Sequence, residues 1–205
     1  ERRTLQAVLT MVQSVLTEGQ VVQGHSSTKL TYADYVLLPD DGLRHEIIEG
    51  EHYVTPSPSM RHQRISGRLF NLIQNHLDTR RAGGEVFCAP FDVLLSHLNV
   101  LVPDLAYISA ERARIITLKN VQGAPDLVVE ILSPSTKSRD QRLKRDVYER
   151  TGVEEYWVVD PDKDFIDVHR RMAGEFGPPI RYRRGETLTT PLLPGLELPL
   201  DKVFA

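Results

Sequence analysis

The chain has 205 residues, 40% hydrophobic and 26% charged, the balance of a globular protein that buries one core and carries a small appendage. A net charge of −3 excludes a globally basic nucleic-acid binder, so any basic surface is local. The single cysteine, Cys88, excludes an intramolecular disulfide and a cysteine-based zinc site, which fits a reducing, cytoplasmic setting.

In chain order, Leu5, Val8, Met11, Val12, Val15 and Leu16 recur at helical spacing. They predict an amphipathic helix and a polar link over residues 1–25, ahead of a single domain over residues 26–205. No signal-peptide cleavage pattern is visible at the start, and no apolar run approaches the roughly 18 residues a membrane span needs. "HEIIEGEHYVT" predicts a strand, a tight turn at Glu49-Gly50 and a second strand. After the "PSPS" break, Ile65, Leu69, Leu72, Ile73 and Leu77 line one face of a helix from about Met60 to Leu77. "GGEVFCAPFDVLL" reads as a strand from Glu85 to Leu95 with an interruption at Pro90, and "VLVPDLAYI" as the next strand. "LVVEIL" is a third, apolar and β-branched, with Glu130 in its middle.

"KSRDQRLKRDVYERTG" follows as a helix, with Ser135, Thr136 or Ser138 as N-cap and Gly152 as its stop. "EEYWVVD" and "DFIDVHR" are strands around a turn at "PDKD", and the tail is short strand and loop. Helix, three strands, helix, strand is the order of an α/β fold with a mixed β-sheet flanked by helices, here with an N-terminal helix and a β-hairpin appendage.

A carboxylate inside a buried strand is costly without a metal or a hydrogen-bonding partner, so Glu130 asks for one. Asp104 follows Pro103 on the preceding strand, and Asp140, Lys144 and Tyr148 form one stripe of the following helix. Two carboxylates on neighbouring strands suit a hard cation such as Mg²⁺ or Mn²⁺, and a lysine beside them can steady charge building on phosphorus. That combination suits metal-assisted phosphodiester hydrolysis. Each residue also has a plainer reading. Asp104 can end a turn, and Glu130 can pair with a buried Arg or Lys. Lys144 can be a solvated lysine beside Asp140, and Tyr148 can be packing. Asp126 reads as a turn or cap group, Asp92 as a sheet-edge charge, and His62 as a surface histidine. His45 and His52 lack helical zinc spacing. "SPST" lacks the frame of a serine nucleophile, and no Gly-rich phosphate loop is present.

"VPDLAYIS", "HEIIEGEHY" and "APDLVVEILSPSTKSRDQRLKRDVYERTGVEEYWVVDP" together resemble the Uma-type restriction endonuclease family of bacteria, a branch of the PD-(D/E)XK nuclease superfamily. The resemblance runs from about Tyr32 to "LPGLELPLDKVF". It implies a restriction-endonuclease-like core and a nuclease that cuts phosphodiester bonds, DNA being the expected substrate, as a homodimer. It makes Asp104 and Glu130 metal ligands, with the Ile131 carbonyl as a third, and Glu46 an acidic member of the site. The superfamily lysine two residues after the strand carboxylate is replaced by Leu132, and the resemblance assigns its role to Lys144. Arg61 and Arg64 on the first long helix, and Arg139 and Arg142 on the second, are the candidates for tracking a phosphate backbone; Arg68, Lys144, Arg145, Arg181, Arg183 and Arg184 share those basic clusters. A nuclease-fold nucleic-acid-binding or dimeric protein without robust cleavage is the alternative.

Overall fold

The computed structural model describes residues 29–80, 83–133 and 139–205, with side chains in the last segment from residue 142. The predicted N-terminal helix and the three N-cap candidates at 135, 136 and 138 lie outside the described residues.

A short helix α1 (Tyr32–Tyr35) leads to the hairpin β1 (Arg44–Ile48) and β2 (Glu51–Thr55). Glu49 and Gly50 both adopt positive φ, 55° and 79°, as a two-residue hairpin turn requires. Helix α2 (Met60–Arg80) follows, then β3 (Glu85–Cys88), β4 (Val93–Ser96), β5 (Asn99–Leu101) and β6 (Leu105–Ile108). A 3₁₀ turn (Ala110–Ile115) precedes β7 (Val121–Gln122) and β8 (Leu127–Ile131). Helix α3 (Arg139–Thr151) ends at Gly152, φ 97°, the left-handed conformation glycine adopts most cheaply. The chain closes with β9 (Glu155–Asp160), β10 (Phe165–Met172), β11 (Glu175–Phe176), β12 (Ile180–Arg183), β13 (Thr187–Leu188), β14 (Leu198–Pro199) and α4 (Leu200–Val203).

The main sheet runs β11-β10-β9-β8-β6-β3, with β12 paired to β10. It is mixed, because β8 and β9 are parallel while β6–β8 and β9–β10 are antiparallel. A second sheet runs β2-β1-β5-β4-β7, so the hairpin is extended by three further strands.

Two of the expected strands are each divided between these sheets. The stretch 85–95 breaks at the cis Ala89–Pro90 bond, and the stretch 100–108 breaks at Val102–Asp104. Pro103 has no N–H to give a ladder, and the Val102 N–H is given to the Glu46 side chain instead. The second break brings a β1 acid and a β6-side acid to the same place.

Alternation along β8 separates two cores. Leu127, Val129 and Ile131 pack with Ile65, Leu69, Ile73 and Leu77 of α2, the face the periodicity predicts. Fully burying an aliphatic side chain of this kind contributes about 1.5–3 kcal/mol. Val128, on the opposite face, packs with Val147 and Tyr148 of α3, Tyr156 and Val158 of β9, and Ile48 and Leu101 of the second sheet. Glu130 shares that face with Val128 and is therefore aimed at α3.

Candidate active site

The acids converge where α3, β1 and the β5–β6 break meet the C-terminal end of β8. Glu130 is 8% exposed, Glu46 2% and Asp104 3%. The Lys144 ammonium lies between two of them, 2.8 Å from Glu46 Oε1 and 3.1 and 3.2 Å from the two Glu130 oxygens. One turn along α3, the Tyr148 hydroxyl donates to Glu130 Oε1 at 2.7 Å. The buried strand carboxylate thus has its partners on the face of α3 that the i, i+4 stripe marks out.

Glu46 is held by its own strand neighbour, since the Val102 N–H donates to Oε1 at 2.8 Å. Asp104 is held from three sides. The Ile131 N–H donates to Oδ2 at 2.8 Å, linking Asp104 directly to the end of β8. Arg44, two residues before Glu46 on β1, reaches Oδ1 at 3.0 Å. His62 Nε2 lies 3.1 Å from Oδ2. A carboxylate only accepts, so Nε2 carries the proton in that bond. His62 is 7% exposed, and its Nδ1 is buried with no partner among the described residues.

The charges are unequally tolerated. Burial pushes the Glu130 carboxyl up to about 7; Lys144 opposes this, while the Asp104 and Glu46 charges add to it. For Asp104, burial is outweighed by the His62 bond and charge, the Ile131 N–H and Arg44, so its carboxyl stays below the ordinary range. Burial alone would discharge Lys144, but Glu130 and Glu46 overcome it and hold the ammonium charged. Burial and the same two acids push the Tyr148 phenol up, so Tyr148 is a donor, not a base.

Glu46, Asp104, Glu130 and Lys144 are therefore together, and Ile131 adjoins them through its backbone. Two of the plainer readings are corrected. Lys144 is buried between carboxylates and not solvated. His62 is an interior partner of Asp104 and not a surface histidine, because Ile65 and Leu69 fix the α2 face that turns it inward. Arg44 was not singled out by the sequence; its position two residues from Glu46, on the same strand face, was the available signal. Asp126 accepts from the Ser109 N–H and pairs with Arg112, as a turn group. Asp92 accepts from the Tyr35 hydroxyl.

The basic candidates separate. Arg61 is spent on Asp164 and the Pro161 carbonyl, Arg68 on the carbonyls of Val203 and Ala205, and Arg181 on Asp167. Arg184 reaches Asp164 and Asp201, and Arg145 reaches Glu149. Arg64 and Arg142 are exposed, and the Arg139 side chain lies outside the described residues.

A hard cation fits this donor set in one respect. Every side-chain ligand offered is a carboxylate oxygen, while burial raises the Glu130 carboxyl and Lys144 already opposes that rise. Asp104 immediately precedes β6, one residue before the Leu105–Val129 pair that sets β6 against β8, and Glu130 is one residue past it on β8.

Comparison with known proteins gives three findings. A family model, Uma2, described as "Putative restriction endonuclease", matches residues 32–201. An uncharacterised protein of the cyanobacterium Synechocystis, slr1290, is 28% identical over 167 residues, spanning 78% of this chain and 83% of its own. A crystal structure from Anabaena variabilis, described as "a putative nuclease belonging to DUF820", superposes with a TM-score of 0.72 at 20% identity, over 85% of this chain and 97% of that one. The expected fold class is borne out by that superposition.

Proposed function

From the premise that the chain belongs to the Uma2 restriction endonuclease family, we propose that it is a Mg²⁺- or Mn²⁺-dependent nuclease that hydrolyses phosphodiester bonds, with DNA as substrate. The observation that carries this reading is the convergence of Asp104, Glu130, Glu46 and Lys144 from four separate stretches of chain into one buried cluster. In this reading Asp104 and Glu130 hold the ion, the Ile131 carbonyl is a third ligand, and the bound ion supplies Lewis-acid polarisation of the phosphate and its attacking water. The chain's own groups do the remaining work. Lys144 brings a fixed ammonium to the charge that develops on phosphorus. Glu46 orients that ammonium from the other side, and Tyr148 fixes the rotamer of Glu130. His62 and the Ile131 N–H hold Asp104 in place. Arg64 and Arg142, both exposed, supply local positive surface for the strand.

A second reading has its own support. Among the described residues no three His, Cys, Asp or Glu side chains are placed to hold a metal ion together, and Lys144 already neutralises part of the cluster. A nuclease-fold protein that binds nucleic acid or a second copy without robust cleavage would look the same. Calorimetric titration with Mn²⁺ separates the two. Wild type binds and both Asp104→Asn and Glu130→Gln fail to bind under the first reading. Titration curves for both variants that overlay wild type would remove these residues as ligands.

A further inference from the structure

We infer that the cleft beside Arg44 is the subsite for one nucleotide of the substrate strand, bound by its phosphate to Arg44 and Lys119 and by its base against Phe91; this rests on the nuclease reading above. The cleft has a volume of about 360 Å³ and lies between the α1–β1 link, the β3–β4 link and the approach to β7. Tyr35, Leu43, Arg44, Phe91 and Lys119 are among the residues lining it.

Arg44 joins the cleft to the acid cluster. Its NH1 contacts Asp104 Oδ1 at 3.0 Å, yet its side chain is 20% exposed where that of Asp104 is 4%. Arg44 thus touches the buried acid through NH1 and also lines the cleft. A planar fork with spare donors is the group that recognises phosphate in two-point fashion. Lys119 is exposed, also lines the cleft and adds a second cation. Two acids also line the cleft, but Asp92 takes the Tyr35 hydroxyl at 2.8 Å and Asp40 sits at the exposed rim.

The apolar wall supplies the other half of a nucleotide. Phe91 is half-buried, and its ring is packed 5.7 Å from that of Phe87, which holds it in the wall. A fixed aromatic side chain next to a cationic group is what single-stranded nucleic acid uses, because every base has a face to stack. A strand lying here would pass its phosphate by Arg44 and so bring the adjoining phosphodiester to Asp104.

The test is fluorescence anisotropy with a short fluorescein-labelled single-stranded DNA, in Ca²⁺ at low salt. Arg44→Ala should weaken binding by roughly tenfold or more, as loss of a charge-assisted phosphate contact does. Lys119→Ala should weaken it about threefold and flatten the salt dependence, and Phe91→Ala should weaken it with the salt slope unchanged. Lys119 is exposed, so its variant tests the idea even if Arg44→Ala fails to fold. If wild type binds and Lys119→Ala and Phe91→Ala bind equally well, the cleft is not the subsite and the nuclease reading survives. If wild type binds a labelled DNA duplex but not this single strand, this inference falls and the nuclease reading stands; if it binds neither, both fall.

Discussion

Glu130 is the residue at which electrostatics and function meet. Its carboxyl is pushed up to about 7 from an ordinary 4.5 by burial and by its acidic neighbours. A folded-state value above the unfolded one means that Glu130's stabilising contribution is complete below about pH 4.5 and is lost as pH rises through 7. Without metal, wild type should therefore lose stability between about pH 4.5 and 7 relative to Glu130→Gln. An ion that needs the ionised carboxylate gains over the same interval. Mn²⁺ affinity, measured by calorimetry, should rise about tenfold per pH unit below 7 and level off above it. A flat profile from pH 5.5 to 7.5 would show that no proton leaves Glu130 on binding. At this scale the sequence exposed Asp104 and Glu130, because a carboxylate stands out in an apolar strand. It did not expose His62 or Arg44. Their contacts to Asp104 span 42 and 60 residues, and nothing local distinguishes an inward histidine on a helix from an outward one.

Helix α3 is the element on which the site depends. Its Lys144 and Tyr148, one turn apart, both reach Glu130, and Gly152 ends it just before β9. Lys144→Ala would leave Glu46 and Glu130 facing each other without their shared cation. Removing one partner of a buried pair costs about 3–5 kcal/mol, so chemical denaturation in EDTA should show a loss of that order. Saturating Mn²⁺ should recover part of it, since the ion replaces some of the missing charge. A variant as stable as wild type in EDTA would mean that Lys144 does not neutralise the acids. The periodicity of α2, the hairpin turn and the α3 stop were all legible, because each is written within a few residues. The division of two apparent strands between two sheets was not. Whether the chain changes sheet at Pro90 and Pro103 depends on which partner strand is nearest, and only the assembled fold decides that.

At the scale of the molecule, three features define what the protein presents to a substrate. The net charge is −3, while Arg64 and Arg142 lie exposed on the helices flanking the cluster. Among the described residues the main sheet ends at β3, which pairs there with β6 alone. Open edges of this kind, together with the prevalence of two-fold assemblies, support the proposed homodimer. Light scattering at about tens of micromolar, a range chosen for moderate affinity, should give twice the mass of the chain; a monomer throughout that range would remove the dimer. No described helix is long and apolar enough to cross a membrane. In the proposed function the cluster cuts phosphodiester bonds with a bound divalent ion. Single-turnover incubation of wild type and Glu130→Gln with plasmid, single-stranded DNA and RNA, in saturating Mn²⁺ and in EDTA, tests it most directly. Wild type should cleave DNA in Mn²⁺ and not in EDTA, and Glu130→Gln should be slower by roughly two or more orders of magnitude. Cleavage by Glu130→Gln at the wild-type rate, or no cleavage of any substrate by a wild type that binds Mn²⁺, would contradict it.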